Sequence, residues 1–563
     1  MNNFTAWLKL WGLRKGWFVI IPITIIAICI WNYLAIPPVE FLGKQNPQSL
    51  YLLSAIAQSL AAVLALVFTI SLVIAQLASR YSHRLLVSFF DKWTILYILM
   101  FVLSVLLPLW LLTKPNTQYI KVSLILAEIC LFFLVPYFLS FKEKLNPESL
   151  ISDLRNKALK KLNKNPTGEP EECITIDNFV KSAIELKDYD TFDLGIRSLK
   201  AITMAIIKNT EKEGEALPQS YMTFSSITER IKNNCIESID SPRIPPRLIN
   251  DLYQIGEICI ENKLGDFAGK VCGDLGWVGM RAVQKGYTEL ILSNEQQNNV
   301  INKLMFIGEE AASNDMQTPA FISAQWIEKI ASIASQKKMD EIVSFSSSKV
   351  RQIGDKFVER KSNSAATMVI QLSKIGYVAI DNELERPSGW IAADISNLGM
   401  EAAESSLVQV SNEAANALNA MGQRAAEKGQ EIALEGITRG LLDLGINAIE
   451  HGLNESAKHA VEGLCTTAHY VFKYSKLASI SERAIRFSIE LGIKSTIYKN
   501  SEMQEDIIKK LIIVEQQLGN FFVESMCGGI QNSIKDKTGE RYTAVRGFVE
   551  LYRLKHKESL TKA

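Results

Sequence analysis

The residues whose type and place could do chemistry are few, and most lie in apolar text. Glu128 is the one ionisable residue deep inside a hydrophobic run, VSLILAEICLFFLV. A carboxyl group in a bilayer is costly, so it serves either as a hydrogen-bonding tie between helices or as a lining group of an ion path. A second polar set sits in the stretch from Tyr51 to Phe90. At 100° per residue, Ser54, Gln58, Ala61, Ala65, Thr69, Leu72, Gln76 and Ser79 share one narrow sector. Hydroxyls and amides find no partners in lipid, so this stripe faces another helix or water. Close helix packing and a pore lining are both consistent with it. Counting depth, Glu128 lies about eight residues, or roughly 12 Å, from the outer end of its segment. Gln58 and Ser59 fall at the same depth, and either is the expected partner. Phosphate-binding glycine loops, zinc-binding HExxH and nucleophile elbows are absent, and His451, His459 and His469 lack companion ligands. No catalytic residue, metal site or cofactor is read from the sequence, and the expectation is a protein that is not an enzyme.

The elements that position these residues are membrane spans. Four apolar segments are expected at about 17–34, 51–78, 94–113 and 119–141, with Pro108 and Pro136 as kinks. Residues before them, with Trp7 and Trp11 beside Lys9, Arg14 and Lys15, read as an interfacial anchor. Lys and Arg cluster before the first span, in the second loop (Arg80, Arg84, Lys92) and after the fourth (Lys142, Lys144). That bias puts the N-terminus and the long C-terminal part in the cytoplasm of a cell-membrane protein. Arg80, His83 and Arg84 then stand at the cytoplasmic headgroup level; pH sensing is the lesser alternative for His83. Up to Leu145 the chain has 11 basic and 4 acidic residues, and beyond it 50 and 56. A basic membrane part and a mildly acidic remainder argue against nucleic acid as the partner. The eight cysteines (29, 130, 173, 235, 259, 272, 465, 527) show no ligand spacing and read as small hydrophobes in a reducing compartment.

The run from Leu53 to Phe90 resembles the signature of a family of uncharacterised prokaryotic multi-pass membrane proteins. Leu53-Ser54, Ser59, Phe68-Thr69-Ile70, Leu72-Val73, Ser79, Ser82, Arg84, Leu86 and Phe89 carry the resemblance, and His83 stands where that family has Pro. It covers roughly residues 15–145. It implies an integral membrane protein with a large cytoplasmic part and carries no assigned chemistry.

Beyond it, residues 146–250 read as a cytoplasmic helical connector, with a boundary at Ser241–Arg247. From 251 to 525 a repeat appears: apolar-x-x-apolar-Gly-x-x-small. Its Gly (or Ala) positions are Gly256, Gly279, Gly308, Ala331, Gly354, Gly376, Gly399, Gly422, Gly445, Ala468 and Gly492. Nine of the ten steps are 22–24 residues; the exception, 29, marks an insertion near Thr288–Gln297. Offsets i, i+3, i+4 and i+7 lie on one helix face. A Gly there costs the helix about 1 kcal/mol relative to Ala, a cost explained if a neighbouring backbone comes close. Lys285-Gly286, Lys428-Gly429 and His451-Gly452 read as C-caps. One helix plus a short turn fills each step, so the fold class is all-α: a four-helix transmembrane domain, then an α-solenoid of about 23-residue single-helix repeats. Residues 526–563 read as a basic tail or capping helix.

Two functions fit. One is an oligomeric, channel-like ion pathway lined by Ser54, Gln58, Thr69, Gln76 and Ser79, with Glu128 setting charge preference and the solenoid regulating. The other is a membrane-anchored scaffold whose solenoid binds a cytoplasmic protein or peptide.

Overall fold

The computed structural model describes residues 47–81, 92–113, 122–131, 134, 147–164, 170–213, 218–238, 244–292, 299–475, 477–518, 522–533 and 539–562. Among them every regular element is helical. The chain divides into two compact units, Met1–Ala205 and Ile206–Ala563, with the division inside the helix Tyr189–Glu213.

The first unit contains α1 (Pro47–Tyr81), α2 (Lys92–Leu111), α3 (Val122–Leu131), α4 (Pro147–Lys164) and α5 (Glu171–Leu186), and the helix Tyr189–Glu213, α6, begins in it. Within α1, Leu50–Ile70 is long and apolar enough to cross a bilayer: 21 residues, or about 31 Å. Among the described residues it alone passes that test. Ile98–Leu111 and Val122–Leu131 are shorter apolar helices, the first running through Pro108, and the expected first span, 17–34, lies outside the described residues. Four spans are thus not established. Leu53 of α1 and Leu111 of α2 form a small buried cluster between apolar helices, and the larger one reaches beyond them. Leu60 and Val67 of α1, Phe101 of α2 and Ala127 and Cys130 of α3 join Ile151 of α4 and Phe179 of α5 in one buried cluster. The amphipathic helices after residue 145 therefore belong to the packing of the apolar ones.

In the second unit, α7 (Pro218–Glu237) leads into the repeat. The repeat helices are α8 (Ile244–Glu261), α9 (Gly265–Lys285), α11 (Val300–Ser313), α12 (Gln317–Gln336), α13 (Asp340–Glu359), α14 (Ala365–Asp381), α15 (Glu385–Glu404), α16 (Val408–Lys428), α17 (Glu431–Glu450), α18 (Asn454–Tyr470) and α19 (Ala478–Ile497). The insertion forms the short α10 (Glu289–Leu292). Successive helices pack on each other and on the next but one, as stacked hairpins do. Ser501–Leu518, Phe522–Ser533 and Glu540–Lys562 (α20–α22) finish the unit.

The glycines have a different reason from the expected one. A Cβ built on Gly256, Gly279, Gly308, Gly354, Gly376, Gly399 or Gly445 would stand 2.5–3.0 Å from Ile307, Ile330, Ile353, Leu398, Met421, Leu444 or Leu491, respectively. Thr467 fills the same space at Gly422. Each partner immediately precedes the Gly or Ala of the repeat two steps on. A side chain, not a backbone, occupies each glycine's empty flank, and the helix-propensity loss is offset by that packing. Close backbone approach occurs instead at Gly436, whose Cβ would lie 2.8 Å from Gly389 Cα.

The turns repeat as strictly. Lys263, Gly286, Asp315, Lys338, Lys361, Glu383, Ser406, Gly429, Gly452 and Lys499 all have positive φ, each seven residues after the Gly or Ala position. The next residue's N–H returns to the carbonyl of the repeat's small position (Met339 to Ala334, 2.9 Å; Leu407 to Ala402, 2.8 Å; Leu453 to Ala448, 2.8 Å). This closes a Schellman cap at ten of the eleven repeats; at the Ala468 repeat a π-helical turn, Val471–Ser475, follows instead. The far end is closed by α22. Val545, Phe548 and Tyr552 are buried, Phe548 seats on Gly492, and Tyr552 donates to the buried carboxylate of Glu515. Residues 526–563 are therefore no free tail, and position 526 falls within α21.

Candidate functional site

α1 carries two opposed requirements. One face, Leu53, Ala57, Leu60 and Val67, is buried in the first unit. By helix geometry the polar stripe lies roughly 120° from that face. Gln58, Ala61, Ala65, Thr69 and Gln76 are exposed, and Ser54 is half-buried. The side chains on the stripe turn inward on their own helix: Gln58 Nε2 donates to Ser54 Oγ (3.4 Å) and Thr69 Oγ1 to the Ala65 carbonyl (2.8 Å). Ser59 is exposed on another flank. Ser79 and Arg80 lie in the last turns of α1, and His83 and Arg84 lie outside the described residues. Leu66 and Val73 are also exposed, as are Leu103, Leu106 and Trp110 of α2. Apolar surface of this extent suits lipid better than water.

Glu128 is half-buried, beside the buried Ala127. α3 is anchored to α2 through Cys130, whose Sγ donates to the Met100 carbonyl (3.7 Å). Of the expected partners of Glu128, Gln58 is exposed and bonds to Ser54 of its own helix, and Ser59 is exposed. Depth in a span is a property of one helix; azimuth is set by which helices pack, and here Ala127 and Cys130 of α3 turn into the cluster shared with α1 and α2.

The second unit holds its own polar groups. Arg351 on α13 is ringed by three carboxylates: Glu401 (3.1 Å), Asp355 (3.6 Å) and Asp394 (3.9 Å), with Ser347 Oγ donating to Asp394 at 2.7 Å. Burial and the Glu401 carboxylate push Asp355 up to about 7. Asp274, buried on α9, is held up by burial and paired with Lys270 at 2.7 Å. Sequence reasoning missed both groups; the signal for the first was that 351 and 394–401 lie two repeat steps apart. Among the described residues no cluster could hold a metal ion, so His451, His459 and His469 do not form one. Among the described residues seven cysteines are buried and free, and burial pushes Cys465 up to about 11 and Cys272 up to about 12. They are packing residues rather than nucleophiles.

No curated protein matches the chain. Among solved structures, a circular tandem repeat protein "with novel repeat topology and enhanced subunit contact surfaces" aligns at 15% identity, covering 74% of this chain and 98% of its own, with a TM-score of 0.29. That score is too low to carry an argument. Residues 14–187 match a family model described as "Predicted membrane protein (DUF2254)". The match extends beyond the resembling stretch to the end of α5, the two helices whose Ile151 and Phe179 complete the core of the apolar ones. The N-terminal part of the chain, amphipathic helices included, is thus the region shared with that family of predicted membrane proteins.

Proposed function

We propose that this is a multi-pass membrane protein whose copies assemble through the polar stripe of α1 into a channel-like pathway, with the repeat unit as its cytoplasmic regulator. The carrying observation is the exposure of Gln58 and Thr69, polar residues on a helix otherwise apolar and long enough to span a bilayer. Exposed amides and hydroxyls suit hydrocarbon poorly, and a second copy of α1 or a water column covers them better. A closed ring of identical helices supplies both. Glu128 sets the charge preference from the next layer of helices. The spans run at about 17–34, 51–78, 94–113 and 119–141, with both termini cytoplasmic. No enzymatic activity is assigned.

The test is ion flux into liposomes holding the purified protein, beside a Glu128→Ala, Gln58→Leu double variant. Flux that the double variant abolishes or re-tunes supports the pathway. No flux at any pH or potential, with the protein folded and oriented, moves the assignment to the second reading, a membrane-anchored scaffold. That reading is favoured by the half-exposed Trp277 and Trp390 of the repeat unit, which suit a protein partner. A stripe cysteine, Ala65→Cys, that cross-links between copies in native membranes supports assembly; its failure to cross-link counts against it.

A further inference from the structure

The one irregular step of the repeat has a structural consequence. After the insertion helix α10, α11 has 14 residues, where α9 has 21 and α12 and α13 have 20. Six missing residues shorten the helix by about 9 Å. A cleft of about 800 Å³ opens there, between α11 and α13. Phe306 and Phe345 give it aromatic surface. Glu309 stands on the α11 wall; Lys349 stands on the α13 wall, about two helical turns beyond Glu341 at the start of α13. Lys349 lies 5.1 Å from the centre of the Phe345 ring and donates to Gln352 Oε1 at 3.1 Å. Burial holds the Lys349 ammonium below the usual lysine range and the Glu309 carboxyl above the usual carboxylate range, and each charge offsets part of the other's shift. Most telling is Asn302. It is 6% exposed, it lines the cleft, and its Oδ1 has no hydrogen-bond partner. A buried amide oxygen left unpaired is costly, and an N–H donor entering the cleft relieves that cost.

We propose that this cleft binds a small zwitterion of the amino-acid class with an apolar or aromatic side chain. Its ammonium meets Glu309 and donates to Asn302 Oδ1, its carboxylate meets Lys349, and its side chain lies against Phe306 and Phe345. Opposite charges on facing walls select a ligand carrying both, and a partly dry cleft strengthens each pairing. The site stands whether or not the membrane half conducts.

The experiment is saturation binding of tritiated L-phenylalanine to the full-length protein in nanodiscs, with competition by the other natural amino acids, 2-phenylethylamine and 3-phenylpropionate. One saturable site per chain is expected, with the amine and the acid each weaker by about tenfold or more, as loss of one charge-assisted contact implies. Glu309→Gln and Lys349→Met weaken binding by a similar factor, and Asn302→Leu weakens it too. Lys329→Met, in a different cleft, leaves it unchanged and shows that the fold survives surface lysine loss. Should the Lys349 variant not fold, the ligand analogues and Glu309→Gln still decide. The proposal is overturned if no natural amino acid binds the folded protein at millimolar concentration. It is equally overturned if the amine alone binds as tightly as the amino acid, or if none of the three substitutions changes the affinity.

Discussion

The two units use small residues in opposite ways. In the repeat unit each glycine at the repeat position makes a hole that a side chain of the same chain fills, as Leu491 fills the one at Gly445. In the first unit Ala61 and Ala65 are exposed beside Gln58 and Thr69. Stacked repeats find their partners within the chain, one and two steps away. Helices meant for lipid leave apolar and polar surface for lipid, water or another copy to cover, because burial in their own unit brings no hydrophobic gain there. Small residues thus mark packing within the chain in one unit and exposed surface in the other.

The sharpest test of this contrast is at the end of the stack. Phe548→Ala removes a fully buried ring from the Gly492 socket and should destabilise the repeat unit by about 3–5 kcal/mol. Denaturant unfolding with hydrogen exchange should show α19 and α20 losing protection first; unchanged protection there would mean α22 is no cap. Leu66→Ala, on the exposed surface of α1, should cost within about 0.5 kcal/mol.

Next comes filling a hole. Gly445→Val should cost about 1–3 kcal/mol through overpacking, and adding Leu491→Ala should return part of it. Ala65→Val in the first unit should leave thermal unfolding nearly unchanged and alter only the association of copies. A large loss of stability there instead would place the stripe inside the fold of a single chain.

A third difference is electrostatic. Asp355 is raised from 3.8 to about 7 in the folded chain, so between those values the folded state holds a proton that the unfolded state has released. Stability of the repeat unit should therefore fall as pH rises from about 4 to about 7, and Asp355→Asn should flatten that slope in urea titrations. A slope that survives the substitution would assign it to other groups.

The smallest effect is at the turns, where the two units should agree. Lys338 has φ 56° and Lys187, in the first unit, also has φ 56°. Glycine at either position should gain roughly 0.5 kcal/mol, the balance of relieved strain and added chain entropy. A loss at Lys338 would mean its side chain stabilises the cap more than its backbone strains it.

Much of the repeat was legible because its information is local. Apolar residues at i, i+3, i+4 and i+7, and a period near 23, are properties of one helix and its turn. Gly286, Gly429 and Gly452 announced their left-handed caps. Lys263, Asp315, Lys361 and Ser406 did not, since there the Schellman hydrogen bonds impose the backbone on residues that do not advertise it. Helices α4 and α5 were read as a connector because their text is polar. Only contact revealed that Ile151 and Phe179 close the core of the apolar helices.

The sequence by itself determined that the chain is helical, that one stretch is apolar enough to cross a membrane with a polar stripe along it, that a 23-residue unit repeats, and that one step is longer. Tertiary structure alone decided which side chain enters which glycine hole, that Ala127 and Cys130 join the cluster of α1 and α2, that three carboxylates converge on Arg351, and that the long step opens a cleft around Asn302. The physical reason is the same in each case. Periodicity along a chain fixes which face of a helix is apolar. The azimuth and the identity of its neighbour are fixed only when helices two repeats apart come into contact.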